Sequence, residues 1–140
     1  MLGLLVLAGP ARAQKNHVTF TLGSSSIDFP SADPSTIFSI AANENPIFIS
    51  VKSSAKTTWN VSVLAGGDLL SGSDTIPISN VSWTATGASF VGGTLSSTVS
   101  RTVGSGEQNA SGTLSFFFAN SWNYPAGAYE QTITFTVMAF

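Results

Sequence analysis

Apolar and polar residues alternate in short segments along most of this chain, and turn-forming residues separate the segments. The clearest examples are residues 18–22, 47–51, 59–63, 114–118 and 133–137. A period of two is typical of β-strands with one buried face, and clusters of Gly, Ser, Asn, Asp and Pro mark the turns between strands. No segment shows a helical period. The alternation therefore predicts an all-β chain.

The spacing of the segments indicates how the strands are arranged. With 140 residues, the chain fits one domain, and neither a repeat nor a linker divides it. We expect a two-sheet immunoglobulin-like sandwich of about 7–9 antiparallel strands, because the turn signals recur at the spacing of such folds. The apolar positions after Ile76 change parity near Ser79 and Asn80, which predicts a bulge there.

Large apolar residues on the strand faces form the expected core. The chain has no cysteine, so its stability must come from burial rather than from disulfides. Trp59 and Trp83 each lie on the apolar face of their strand and are expected to be structural. The residues expected to be buried are Trp59, Val61, Val63, Trp83, Leu114, Phe116, Phe118, Tyr129, Ile133 and Phe135.

A turn rich in small residues precedes the last strand. Pro125 stiffens this turn, and Gly127 can adopt backbone conformations that are closed to other residues. Tyr129 follows at the start of the strand. This arrangement predicts a tyrosine corner, in which the ring is buried and the hydroxyl bonds to nearby backbone. The alternative is a tyrosine that only faces the core.

The N-terminal residues have the pattern of a processing signal. Leu2–Ala8 is apolar, and Ala11 and Ala13 place small residues at positions −3 and −1 of a cleavage point before Gln14. The positively charged region that usually opens a signal peptide is missing. The alternative is therefore a short N-terminal strand or helix in a cytoplasmic protein.

The signal-peptide interpretation divides the chain into two segments. Residues 1–13 form the C-terminal part of a signal peptide, and residues 14–140 form a single β-sandwich domain. The apolar run is too short to cross a bilayer, so we expect no transmembrane anchor. The mature protein is expected to be secreted, either extracellular or at the cell surface.

Charged residues are scarce, and this limits the classes of function that the chain can have. They make up 9% of the chain, whereas about a quarter is usual. Nucleic-acid binding is not expected, because it needs clustered Lys and Arg. His17 is the only histidine, and nothing around the serines resembles a nucleophile elbow. We therefore expect no enzyme activity and no cofactor.

A metal site is not predicted either. Asp68 and Asp74 flank a Gly- and Ser-rich loop, and Ca²⁺ accepts carboxylates and carbonyls from such loops. No EF-hand spacing is present. Ordinary turn chemistry explains these residues equally well.

Three segments carry a resemblance to a known group: TWNVSV at 58–63, IPISNVSW at 76–83, and PAGAY at 125–129 followed by TITFTV at 132–137. Together they resemble bacterial secreted immunoglobulin-like surface domains of the pilin, spore-coat-U-like and WxL-like kind. The resemblance covers roughly residues 17–140. It implies a structural or adhesive surface protein, such as a subunit of a pilus-like extracellular fibre (a fimbrium), whose partners are itself or other surface proteins.

A loop near the C-terminus carries the candidate ligand site. Trp122 and Tyr124 lie there beside Asn120 and Asn123. Aromatic rings among amides suit glycan stacking or a protein interface. They equally suit a loop folded over one end of the sandwich. A carbohydrate-binding module is therefore the alternative function.

The N-terminal strand is a candidate for strand exchange. One more strand normally follows the tyrosine-corner strand of an immunoglobulin-type sandwich, and here the sequence stops at Phe140. Val18, Phe20 and Leu22 alternate with threonines and suit the open position. The segment can fill it within one molecule or in the next. We expect pairing within one molecule.

Overall fold

The computed structural model of the chain describes residues 2–8, 17–54 and 57–140. No α-helix occurs in these ranges, and one 3-10 turn spans Ile78–Asn80. The strands are β1 Leu2–Ala8, β2 Val18–Leu22, β3 Ser26–Phe29, β4 Ser39–Ala41, β5 Ile47–Ser53, β6 Trp59–Ala65, β7 Leu69–Ser71, β8 Asp74–Ile76, β9 Val81–Thr86, β10 Gly93–Thr94, β11 Arg101–Gly106, β12 Ala110–Ala119 and β13 Tyr129–Ala139.

The strands form two sheets that pack face to face. The first sheet has the order β11-β6-β13-β1-β3, with the β7–β8 hairpin attached to β13. The second has the order β10-β9-β12-β5-β2, with β4 attached to β12. β1 and β13 run parallel, whereas the other pairings between described strands are antiparallel.

The two-sheet β-sandwich predicted from the alternation is confirmed. The described strands outnumber the roughly 7–9 expected from sandwich spacing. Part of the excess consists of strands of two or three residues beside turns, namely β4, β7, β8 and β10. Such short pairings show too few alternations to be recognised in a sequence. The rest comes from Leu2–Ala8, which also joins a sheet.

The core lies between the sheets and contains the residues expected there. Every residue in the predicted buried set is buried. The indole N–H of Trp59 donates to the carbonyl of Gln108, and that of Trp83 donates to the carbonyl of Val91. Both rings therefore bury their apolar surface while their polar atoms keep hydrogen-bond partners, as buried tryptophans require.

The parity change near Ser79 and Asn80 is not a bulge, which corrects the sequence-based prediction. The chain makes a 3-10 turn there. The backbone N–H of Ile78 donates to an Asp68 carboxylate oxygen at 2.9 Å. The turn takes Ile78–Asn80 out of the strand, so β9 starts at Val81 with a new alternation.

Candidate functional site

One candidate site is the strand position between β3 and β13, which β1 occupies. β1 pairs in parallel with β13, from Leu2 beside Tyr129 to Ala8 beside Phe135. It pairs antiparallel with β3, from Leu2 beside Phe29. β6 pairs with the other edge of β13. β1 therefore lies between β13 and β3 and joins them into one sheet.

Buried residues border this strand position. On β3, Ile27 and Phe29 are fully buried, and on β13 the same holds for Ile133 and Phe135. Alternate β1 residues take register positions beside Tyr129, Gln131, Ile133 and Phe135. This strand position therefore lies within the hydrogen-bond ladder and borders the core of the sandwich.

The segment predicted as a candidate for strand exchange does not lie beside β13. Val18, Phe20 and Leu22 belong to β2, which pairs with β5 at one edge of the second sheet. Phe20 stacks on Phe135 across the core, with ring centroids 6.0 Å apart. The place expected for this segment, beside the last strand, is held by β1 instead, because β2 is bound to β5 along its whole length.

β1 coincides with the apolar part of the expected signal peptide. The expected cleavage point between Ala13 and Gln14 lies outside the described residues. The described chain resumes at His17, which is exposed and is bound to the second sheet. Its backbone N–H donates to the Ser54 hydroxyl, and its carbonyl accepts from the Ser54 N–H.

The predicted tyrosine corner is present at the start of β13. The Tyr129 ring is buried, and its hydroxyl donates to the Pro125 carbonyl at 2.7 Å. Burial, and to a smaller extent the Asp74 carboxylate, raises the pKa of Tyr129. Gly127 allows a close approach to a neighbouring side chain rather than a left-handed backbone. Its φ is not positive, but an added Cβ would lie 2.7 Å from the Ser71 hydroxyl oxygen.

A second candidate site is a groove of about 260 Å³ at one end of the sandwich. Its floor is apolar and includes Ile40, Ile76 and Phe118. Its walls come from the segment after β3 and from the loop between β12 and β13. The proline-rich segment around Pro30 and Pro34 forms the first wall. A loop pattern does not reveal which distant loop it will face.

The predicted aromatic pair lies at this groove. Trp122 is 71% exposed, and its indole N–H donates to the Ser35 hydroxyl at 3.1 Å. Tyr124 is half-buried, and its hydroxyl accepts from the Asn80 side-chain amide at 3.1 Å. Both rings therefore border the groove in positions fixed by hydrogen bonds.

The two predicted amides have different surroundings. Asn120 lines the groove, but its side-chain N–H groups donate to the carbonyls of Ala32 and Ile37. Its backbone N–H donates to the Phe38 carbonyl. Asn120 thus binds the two walls together. Asn123 is exposed and is not among the residues that line the groove.

The acidic residues considered for calcium take part in turn contacts. One Asp68 carboxylate oxygen accepts from the Ile78 N–H, and the Asp68 carbonyl accepts from the Gln131 side chain. Within the described ranges, no three His, Cys, Asp or Glu residues are grouped so that they could hold a metal ion. No helix in the described part of the chain has the length and apolar character to cross a membrane.

The chain was compared with known proteins. It matches no family model. Among curated proteins, no match was found either. Its function is therefore inferred from its sequence pattern, its fold and its surface.

Proposed function

We propose that this chain is a secreted, non-catalytic structural or adhesive protein of a bacterial cell surface and that it assembles by strand addition. One observation carries the proposal. The strand position beside β13 is filled by Leu2–Ala8, which the sequence assigns to a removable signal peptide.

Removal of β1 would leave one edge of β13 and the paired edge of β3 open. β13 would lose its pairing over residues 129–135, and β3 would lose the pairing of Phe29 through Ser26. Buried backbone N–H and C=O groups need partners, and an open sheet edge pairs readily with another chain. The fully buried side chains of Ile27 and Phe29 border the same opening. The mature domain therefore requires a replacement strand.

The mature N-terminus is too short to replace β1. After cleavage, residues 14–17 precede β2, and they span at most about 14 Å when extended. β1 has seven residues. Val18 is already paired with Ser53 in the second sheet. A replacement strand is therefore expected from a second polypeptide, in the mode of strand addition.

Strand addition between copies gives a fibre. A fibre forms if residues 14–22 of each copy leave β5 and fill the opening of the next copy, since such a contact is head-to-tail and does not close on itself. The low content of charged residues, 9%, suits a surface that packs against other copies. The resemblance to pilin-like and spore-coat-U-like domains points in the same direction.

The test compares cut and uncut protein. Ala13→Lys places a large charged residue at position −1 and blocks cleavage, so the variant keeps Leu2–Ala8. Mass spectrometry of the secreted protein should place its N-terminus at Gln14. Light scattering and negative-stain electron microscopy should then show multimers or filaments for the cut protein and monomers for Ala13→Lys. A cut protein that stays monomeric and is as stable as the uncut variant would rule out strand addition.

A further inference from the structure

The groove at the end of the sandwich carries no charged lining residue. A formal charge is costly to desolvate without a partner of opposite sign, so such a groove favours a neutral ligand. Its volume of about 260 Å³ lies just below the range of about 300–1,000 Å³ that is typical of drug-sized ligands. A ligand with one or two small rings therefore fits it best.

Trp122 gives the groove an oriented aromatic surface. It is 71% exposed, whereas Trp59 and Trp83 are buried in the core. Exposing a large ring to water gives no stability to the fold, yet the hydrogen bond from its indole N–H to Ser35 fixes the ring at the rim. A fixed, exposed ring is the arrangement that stacks against the apolar face of a ligand.

Two hydroxyl groups stand beside this ring with a proton to donate. The Tyr124 oxygen accepts from Asn80, and the Ser121 oxygen accepts from the Asn123 backbone N–H at 3.1 Å. A hydroxyl that accepts one hydrogen bond keeps its own proton for another acceptor. Asn120 is committed to the walls. Tyr124 and Ser121 are therefore better placed than the two asparagines to contact ligand hydroxyls.

We infer that this groove binds a neutral saccharide, with one sugar face stacked on Trp122 and sugar hydroxyls contacting Tyr124 and Ser121. A sugar ring combines an apolar C–H face with a rim of hydroxyls, which matches an aromatic ring beside hydroxyl groups. An extended peptide matches less well, because the walls are loops and offer no strand edge for pairing. The inference does not depend on strand addition, since it uses the groove alone.

The test uses the full chain and saturation-transfer NMR. The probes are methyl α-D-mannopyranoside, methyl β-D-galactopyranoside, N-acetylglucosamine and cellobiose, with sialic acid as the charged comparison and decaproline as the peptide comparison. At least one neutral sugar should bind saturably. Trp122→Ala should weaken that binding at least tenfold, and Tyr124→Phe and Ser121→Ala should each weaken it several-fold.

Phe38→Ala is the matched control. Phe38 is 73% exposed but does not line the groove, so its truncation should leave sugar affinity unchanged. Circular dichroism confirms that each variant is folded. The inference is overturned if none of the neutral sugars binds, or if binding is equal in Trp122→Ala. It is also overturned if decaproline alone binds and does so through Trp122, because the groove would then be a peptide site.

Discussion

The Tyr129 hydroxyl donates a 2.7 Å hydrogen bond to the Pro125 carbonyl, four residues earlier in the chain. This bond ties the loop after β12 to the first residue of β13. Because Trp122 and Tyr124 lie in that loop, the bond also holds the wall of the groove against the sandwich. A single phenol thus links the strand that pairs with β1 to the candidate ligand site.

Replacing Tyr129 with Phe should destabilise the domain while keeping the ring in place. The substitution removes the hydroxyl and leaves the Pro125 carbonyl without this donor. The melting temperature should fall by roughly 3–6 °C. Tyr124→Phe is the control, since its ring is only half-buried and the Asn80 amide keeps a second acceptor in the Pro77 carbonyl, and it should change the melting temperature less. An equal fall in melting temperature in both variants would contradict a special stabilising role for the hydrogen bond between Tyr129 and Pro125.

The raised pKa of Tyr129 predicts loss of stability in alkali. Burial, then the Asp74 carboxylate, disfavours the ionised ring in the folded state. The free energy of unfolding should therefore be unaffected by this group below about pH 10 and should fall as the pH rises through the folded-state pKa. Urea titrations between pH 7 and pH 11.5 measure it. Tyr129→Phe should show a smaller alkaline loss, and an identical pH profile would count against the prediction.

Truncation of Phe135 should be severe. The residue is fully buried and stacks with Phe20, so Phe135→Ala leaves a cavity between the sheets. We expect a loss of about 3–5 kcal/mol in the free energy of unfolding. Phe38→Ala, at an exposed position, should change it by less than about 0.5 kcal/mol. Urea denaturation of both variants gives the comparison, and a loss below about 1 kcal/mol in Phe135→Ala would show that the packing is not as described.

Gly127→Ala should destabilise through a contact with one named side chain. The added Cβ would lie 2.7 Å from the Ser71 hydroxyl oxygen and 3.4 Å from the Ser71 Cβ. Ser71→Gly removes both atoms, so the double variant should recover much of the loss. Thermal melting of the two single variants and the double variant measures this coupling. Strictly additive effects would mean that the contact is not the cause.

Leu4→Pro should destabilise the uncut chain. Leu4 pairs with Gln131 on one side and with Ile27 on the other, and proline has no N–H to donate to either strand. The melting temperature of the Ala13→Lys background should fall on adding Leu4→Pro. A protein cut before Gln14, as proposed, lacks position 4 and should be unaffected by the substitution. No change in the uncut background would show that β1 does not stabilise the sheet.

Period-two alternation is enough to predict the sandwich and its core, because each strand has one buried face. The turn marked by Pro125 and Gly127 likewise predicts that Tyr129 stands at the start of the last strand. The role of β1 is harder to predict: Leu2–Ala8 is almost uniformly apolar, and such a run suits a signal peptide as well as a buried strand. The role of Asn120 depends on contacts with residues more than eighty positions away, which no local pattern records.

The pairing of β1 with β13 also constrains when β1 can join the sheet during folding. Leu2 lies beside Tyr129, so the two partners are separated by almost the whole chain. During synthesis, β1 emerges first and must wait for β13 before it can enter the sheet, and contacts between such distant segments form slowly. β1 therefore stays without its β13 partner until translation has passed residues 129–135.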